Sequence, residues 1–151
     1  MKIGLAKCSW TRCKRSFPAG TVVSPNHPNI YPNNIKRTEV IEVDEGLVIS
    51  LEFTAFDIEY RGSCRWDHLT ITDGDGTTLM GKSCGNVITY AIEIEDQPSI
   101  YSPLPFSITS RTNIVMLVFI TDSSNDSGDY ASASGPSGWS VNWRAVPKGE
   151  C

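Results

Sequence analysis

Four acids stand just past the ends of two apolar runs in a chain of 151 residues. Asp57, Glu59 and Asp67 follow L-V-I-S-L-E-F (Leu47–Phe53), and Asp122 follows N-I-V-M-L-V-F-I (Asn113–Ile120). Carboxylates drawn from separate stretches repel one another, so they gather only around something positive. The chemistry that suits hard oxygen donors at ~2.3–2.6 Å is calcium binding. If the two strand ends share one edge of a fold, the four acids converge there. The plain alternative is that they are solvated surface charges, the usual fate of Asp and Glu.

The elements that must position these acids are strands. In Leu47–Phe53 the residues Leu47, Ile49, Leu51 and Phe53 share one face by period two. Further runs are V-I-E-V (Val40–Val43), L-T-I-T (Leu69–Thr72), T-Y-A-I-E-I (Thr89–Ile94), F-S-I-T-S (Phe106–Ser110), Asn113–Ile120 and W-S-V-N-W-R-A-V (Trp139–Val146). Asp44-Glu45-Gly46 and D-G-D-G at residues 73–76 read as turns. Short strands separated by Pro, Gly and Asn predict an all-β fold, a two-sheet antiparallel sandwich of jelly-roll type. Pro25, Pro28 and Pro32 predict an extended rim rather than a ladder. Residues 1–20 are expected to be irregular, and residues 123–138 to form a loop.

Composition narrows the partners. With 40 % hydrophobic and 20 % charged residues the chain is a folded domain, and its length suits one core. A net charge of −4 gives no basic stripe for nucleic acid and favours basic partners instead. No run approaches the ~20 apolar residues of a membrane span. The opening M-K-I-G-L-A-K-C is too short for a signal-peptide core. Cys8, Cys13, Cys64, Cys84 and Cys151 lack C-x-x-C spacing, which points to disulfides and an oxidising, extracellular setting. Their odd number leaves one thiol free or available to link a second chain.

Taken together, S-P-N-H-P-N-I-Y-P (Ser24–Pro32), I-E-V-D-E-G (Ile41–Gly46), F-D-I-E (Phe56–Glu59), C-R-W-D (Cys64–Asp67), C-G (Cys84, Gly85), V-F-I-T-D-S-S-N (Val118–Asn125) and G-W-S-V-N-W resemble a CUB domain, in its calcium-binding subset. The resemblance spans residues 13–146, leaving an arm at 1–12 and a tail at 147–151. It implies Glu59, Asp67 and Asp122 as side-chain calcium ligands. Ser124 and Asn125 are then main-chain ligands and Tyr31 is the supporting phenol, with Asp57 left as a strand-end acid. It also implies a Cys64–Cys84 disulfide, worth ~3 kcal/mol in the chain-entropy account. Relatives of this type bind protein partners there. Calcium fixes the acids while outer oxygens receive a partner's Lys or Arg. Glu59, Asp122, Tyr31 and Ser124 are the partner-binding set implied, with His27 at its edge.

The departures are specific. Cys13 matches the family's first cysteine, but no cysteine stands near Arg37 to pair with it. The tryptophan that usually precedes I-E-V is replaced around Glu39. The sequon Asn125-Asp126-Ser127 overlaps the proposed calcium loop.

Other functions have less to stand on. Two histidines, no H-E-x-x-H and no G-x-S-x-G argue against an enzyme. A carbohydrate-binding jelly roll would use exposed indoles among Trp10, Trp66, Trp139 and Trp143. Alternation puts Trp139, Val141 and Trp143 on one face, which favours packing. A structural matrix module, covalently dimeric through Cys151, is the third reading.

Overall fold

The strand Leu47–Ile58 is the spine of the protein, and its burial shows why it forms. Ile49, Leu51 and Phe53 are fully buried on one face, as period two predicts. One extra residue then enters between Phe53 and Ala55, a β-bulge against the neighbouring strand. Inward residues accordingly change parity to Phe56 and Ile58. The strand runs five residues past the Phe53 end predicted from alternation, because the bulge conceals its second half.

The computed structural model describes residues 17–60, 64–86, 104–124 and 136–149. Nine strands appear among them: β1 Ala19–Val23, β2 Lys36–Glu42, β3 Leu47–Ile58, β4 His68–Asp73, β5 Thr78–Ser83, β6 Gly85–Asn86, β7 Phe106–Thr109, β8 Ile114–Ile120 and β9 Gly138–Pro147. One sheet runs β1-β9-β3, with β7 and β6 in turn along the far edge of β3. The other runs β2-β8-β4-β5. All pairings are antiparallel, so the predicted two-sheet sandwich is the fold.

Several boundaries differ from the sequence reading. β2 begins at Lys36 rather than Val40, since its polar first half pairs with Ile120 down to Val118 of β8. β1 lies partly inside the stretch expected to be irregular. It exists because Ala19–Val23 line up against Arg144–Ser140 of β9, with Trp143 filling the space over Gly20. β5 was not anticipated, as only Met80 and Ser83 of its six residues are buried. The predicted strand Thr89–Ile94 lies outside the described residues, as do Cys8, Cys13, Cys151 and Trp10.

The core between the sheets joins Ile49, Leu51 and Phe53 of β3 to Leu69 and Ile71 of β4 and Val115, Leu117 and Phe119 of β8, with Trp139 and Val141 of β9. Each such side chain contributes about 1.5–3 kcal/mol by leaving water. Phe53 packs edge-on against Phe56 and stacks on Phe106, and Phe119 meets Tyr31 and Trp139 edge-on.

Candidate metal centre

The acids gather where three strands end at one mouth of the sandwich. Glu59 follows β3 of one sheet, Asp67 precedes β4 of the other, and Asp122 lies two residues after β8. One carboxylate oxygen from each lies within 4.8 Å of the others. The cluster therefore straddles the two sheets. Glu59 and Asp67 are fully buried and Asp122 is partly exposed.

Tyr31 organises the buried side of the group. Its hydroxyl donates to Asp67 Oδ2 at 2.7 Å and accepts from Glu59 N at 2.9 Å. Asp67 Oδ1 accepts from Asp122 N at 2.7 Å, and Asp122 Oδ1 from Ser124 N at 3.1 Å. The segment that carries Tyr31 is fastened to the end of β8: Asn34 N donates to Asp122 O, Thr121 N to Ile35 O, and Thr121 Oγ1 to Pro32 O. Ile35 N completes the tie by donating to Thr121 Oγ1. Thr121 is thus a positioning residue that the sequence reading passed over, although it stands inside V-F-I-T-D.

The electrostatics follow from this crowding. Burial pushes the Asp67 carboxyl up to about 6, and the charge of Asp122 adds to the rise. The Asp122 N–H and the Tyr31 hydroxyl pull the other way. Burial, and then the charge of Asp67, drive the Tyr31 phenol far above its ordinary range, so it remains a neutral donor. A site that resists ionisation without a cation is the kind that a divalent ion can neutralise.

Asp57 does not join. The bulge turns it away from the inward face, where its Oδ2 accepts from Ser137 N at 3.2 Å and Ser137 Oγ at 3.3 Å. Burial raises its carboxyl, and the Ser137 donors offset part of the rise. His27, partly exposed, meets Ser137 O through Nδ1 at 2.9 Å. Behind them Gly138, at φ +92°, packs so closely on Ser24 that any Cβ would collide with the Ser24 hydroxyl.

Burial corrects one part of the partner-binding set. Glu59 is 0 % and Tyr31 2 % exposed, so neither presents a surface to another molecule. Asp122, Ser124 and His27 are the partly exposed members. Asn125 and its sequon lie outside the described residues. Cys64 and Cys84 are joined, with Cα atoms 5.5 Å apart, which fastens the Glu59–Asp67 connection beside β6. Trp139 is buried and Trp143 packs partly buried against the core, as their shared face predicts.

Comparison with known proteins agrees with this architecture. The CUB domain family matches residues 8–133, beginning five residues earlier and ending thirteen earlier than the span read from motifs. Rat cubilin is 32 % identical over 127 residues, covering 84 % of this chain; the chain spans only 3 % of that relative's length. Among solved structures, the CUB1-EGF-CUB2 domain of human MASP-1/3 superposes with a TM-score of 0.66 at 24 % identity, over 85 % of this chain and 42 % of that one. The MASP-1 CUB2 domain bound to Ca2+ superposes with a TM-score of 0.60 at 25 % identity, over 83 % of this chain and 91 % of that one. With its two-sheet sandwich, its Cys64–Cys84 bridge and a family match across most of its length, the chain belongs to the CUB domain family.

Proposed function

We propose that this chain is a secreted, non-catalytic binding module that uses a calcium-organised acidic rim to hold an extracellular protein through its Lys or Arg side chains. Glu59, Asp67 and Asp122 supply the carboxylates, Ser124 and Asn125 main-chain oxygens, and Tyr31 the phenol that orients Asp67. The folded unit is the span 13–146, extended at its C-terminal end by Pro147, which pairs with Leu47.

The convergence of three carboxylates within 4.8 Å carries this reading. Two oxygens on a shared calcium at ~2.4 Å can be at most ~4.8 Å apart, a limit that every pair in this set meets. Hard oxygen donors match that ion, and the MASP-1 CUB2 domain, a solved structure of similar fold, is bound to Ca2+. The Cys64–Cys84 bridge supports an oxidising, extracellular setting. When bound, the ion supplies the positive charge that lets the buried acids ionise. The chain's own work is to position them and to leave Asp122 and Ser124 at the surface. There the outer carboxylate oxygen of Asp122 can accept from an ammonium or guanidinium.

The test is thermal unfolding of the chain in millimolar calcium and in chelator, beside Asp122→Ala. An ion present at ~100 times its dissociation constant adds ~2.7 kcal/mol, raising the midpoint by roughly 5–10 °C. The rise is expected in the parent and absent in the variant. Equal melts in calcium and chelator would sink the metal-organised rim.

A further inference from the structure

The two outer faces of the sandwich have opposite characters. On the sheet built on β9 the outward residues Ser140, Asn142 and Arg144 are polar, and the strand alternates as a half-solvated strand should. β8 does not alternate. Its inward residues Val115, Leu117 and Phe119 are buried, yet the outward Ile114, Met116, Val118 and Ile120 are apolar as well. Apolar residues on both faces are the mark of a strand covered on both sides. Beside the stripe Val40 of β2 pairs with Met116, and these two are 57 % and 39 % exposed.

The charges bordering the stripe are arranged in a way that selects an occupant. On the same outer face, β2 carries exposed Lys36 opposite Ile120 and exposed Glu42 opposite Ile114, one at each end of the stripe. A two-fold axis lying parallel to the sheet and across its strands places β8 antiparallel over β8 of a second copy. That operation sets Lys36 against Glu42 of the second copy twice over, with Val40 and Met116 between them. Isologous interfaces require such self-complementarity, and an apolar centre with a charged rim is their usual composition. Stacked sheets ~10 Å apart allow the side chains to interdigitate.

We infer that the outer face of the β2-β8-β4-β5 sheet is a homodimer interface, non-covalent, two-fold symmetric and steered by the Lys36–Glu42 pairs. The acid cluster lies beyond the Ile120 end of β8, outside the apolar stripe.

Sedimentation equilibrium of the full chain from low micromolar to several hundred micromolar tests it, with denaturing non-reducing gels to read any covalent link. The weight-average mass is expected to climb from 16.6 kDa toward twice that value, with a monomer band on the gel. Val40→Lys, a change at an exposed position, should weaken association roughly tenfold or more. Lys36→Glu should also weaken it, and the double exchange Lys36→Glu/Glu42→Lys should restore it. Ser140→Lys on the other sheet should leave it unchanged. A mass of 16.6 kDa throughout, a dimer seen only as a covalent band, or a dimer indifferent to Val40→Lys would overturn the proposal, as would an exchange that fails to restore association.

Discussion

Asp67 and Asp73 bracket the same six-residue strand, both are buried, and they behave in opposite ways. Asp73 is surrounded by donors. Its Oδ1 accepts from Gly74 N at 2.8 Å, Thr112 N at 3.2 Å and Thr112 Oγ1 at 2.5 Å, and its Oδ2 from Arg111 N at 2.6 Å. Burial would raise its carboxyl, but these donors, Thr112 foremost, outweigh it and hold the group below the ordinary range. Asp67 has two donors and two neighbouring carboxylates, and is pushed up to about 6. The difference teaches what a buried acid is for. One whose charge the chain satisfies by itself ties a turn together, whereas one left short of positive charge marks a place where the chain expects it from outside.

The comparison can be broken most forcefully at Asp73. Replacing it with Ala removes four hydrogen bonds, those of the Arg111 and Thr112 amides without a substitute acceptor, and should cost about 3–5 kcal/mol in denaturant unfolding, with the calcium-dependent shift intact. An effect below ~1 kcal/mol would mean the network is not a structural tie.

Acidity sharpens the contrast, because the two groups give slopes of opposite sign. Asp67 binds its proton more tightly folded than unfolded. In chelator its contribution to stability is therefore present at low pH and lost as pH rises from about 4 to about 6, by up to ~3 kcal/mol. Asp73 binds its proton less tightly when folded, so its contribution is present at higher pH and lost as pH falls below the ordinary Asp range. Unfolding midpoints across pH 3–7 should show both limbs, and saturating calcium should remove Asp67's share of the descending one while leaving that of Asp57, whose carboxyl is also raised. A curve without the descending limb would put Asp67 among ordinary carboxyls.

The smallest effect is expected from Tyr31→Phe. It deletes one donor to Asp67 and one acceptor for Glu59 N while keeping the packing against Phe119, at a cost of about 1–2 kcal/mol. Calcium affinity read by titration calorimetry should fall with it, and an unchanged affinity would deny Tyr31 a positioning role.

Much of this was legible in the residues. Period-two runs located β3, β4 and β9, a continuous apolar run located β8, and the family resemblance carried by F-D-I-E, C-R-W-D and V-F-I-T-D singled out the three acids that the fold brings together. What stayed hidden depended on partners distant in the chain. β1 is a strand only through β9, more than a hundred residues away. Asp73 read as a turn residue because its donors come from Arg111 and Thr112, which no local pattern connects to it. Glu59 looked available to a partner because burial behind Tyr31 cannot be seen from its neighbours in sequence.

The bulge after Phe53 has a consequence for how such a domain can change by insertion and deletion. A strand counts in twos, and the extra residue resets the count just before the end that leads to the acid cluster. Removing one residue between Phe53 and Phe56 would remove the bulge and leave a regular strand, with Phe56 and Ile58 still facing inward and Phe56 still opposite Trp139. A one-residue length change elsewhere in a loop is absorbed by slack. Here the bulge supplies that slack inside a strand, whereas the loss of one residue after it, between Phe56 and Ile58, would turn Ile58 outward, so β3 tolerates a change of length at the bulge and not beyond it.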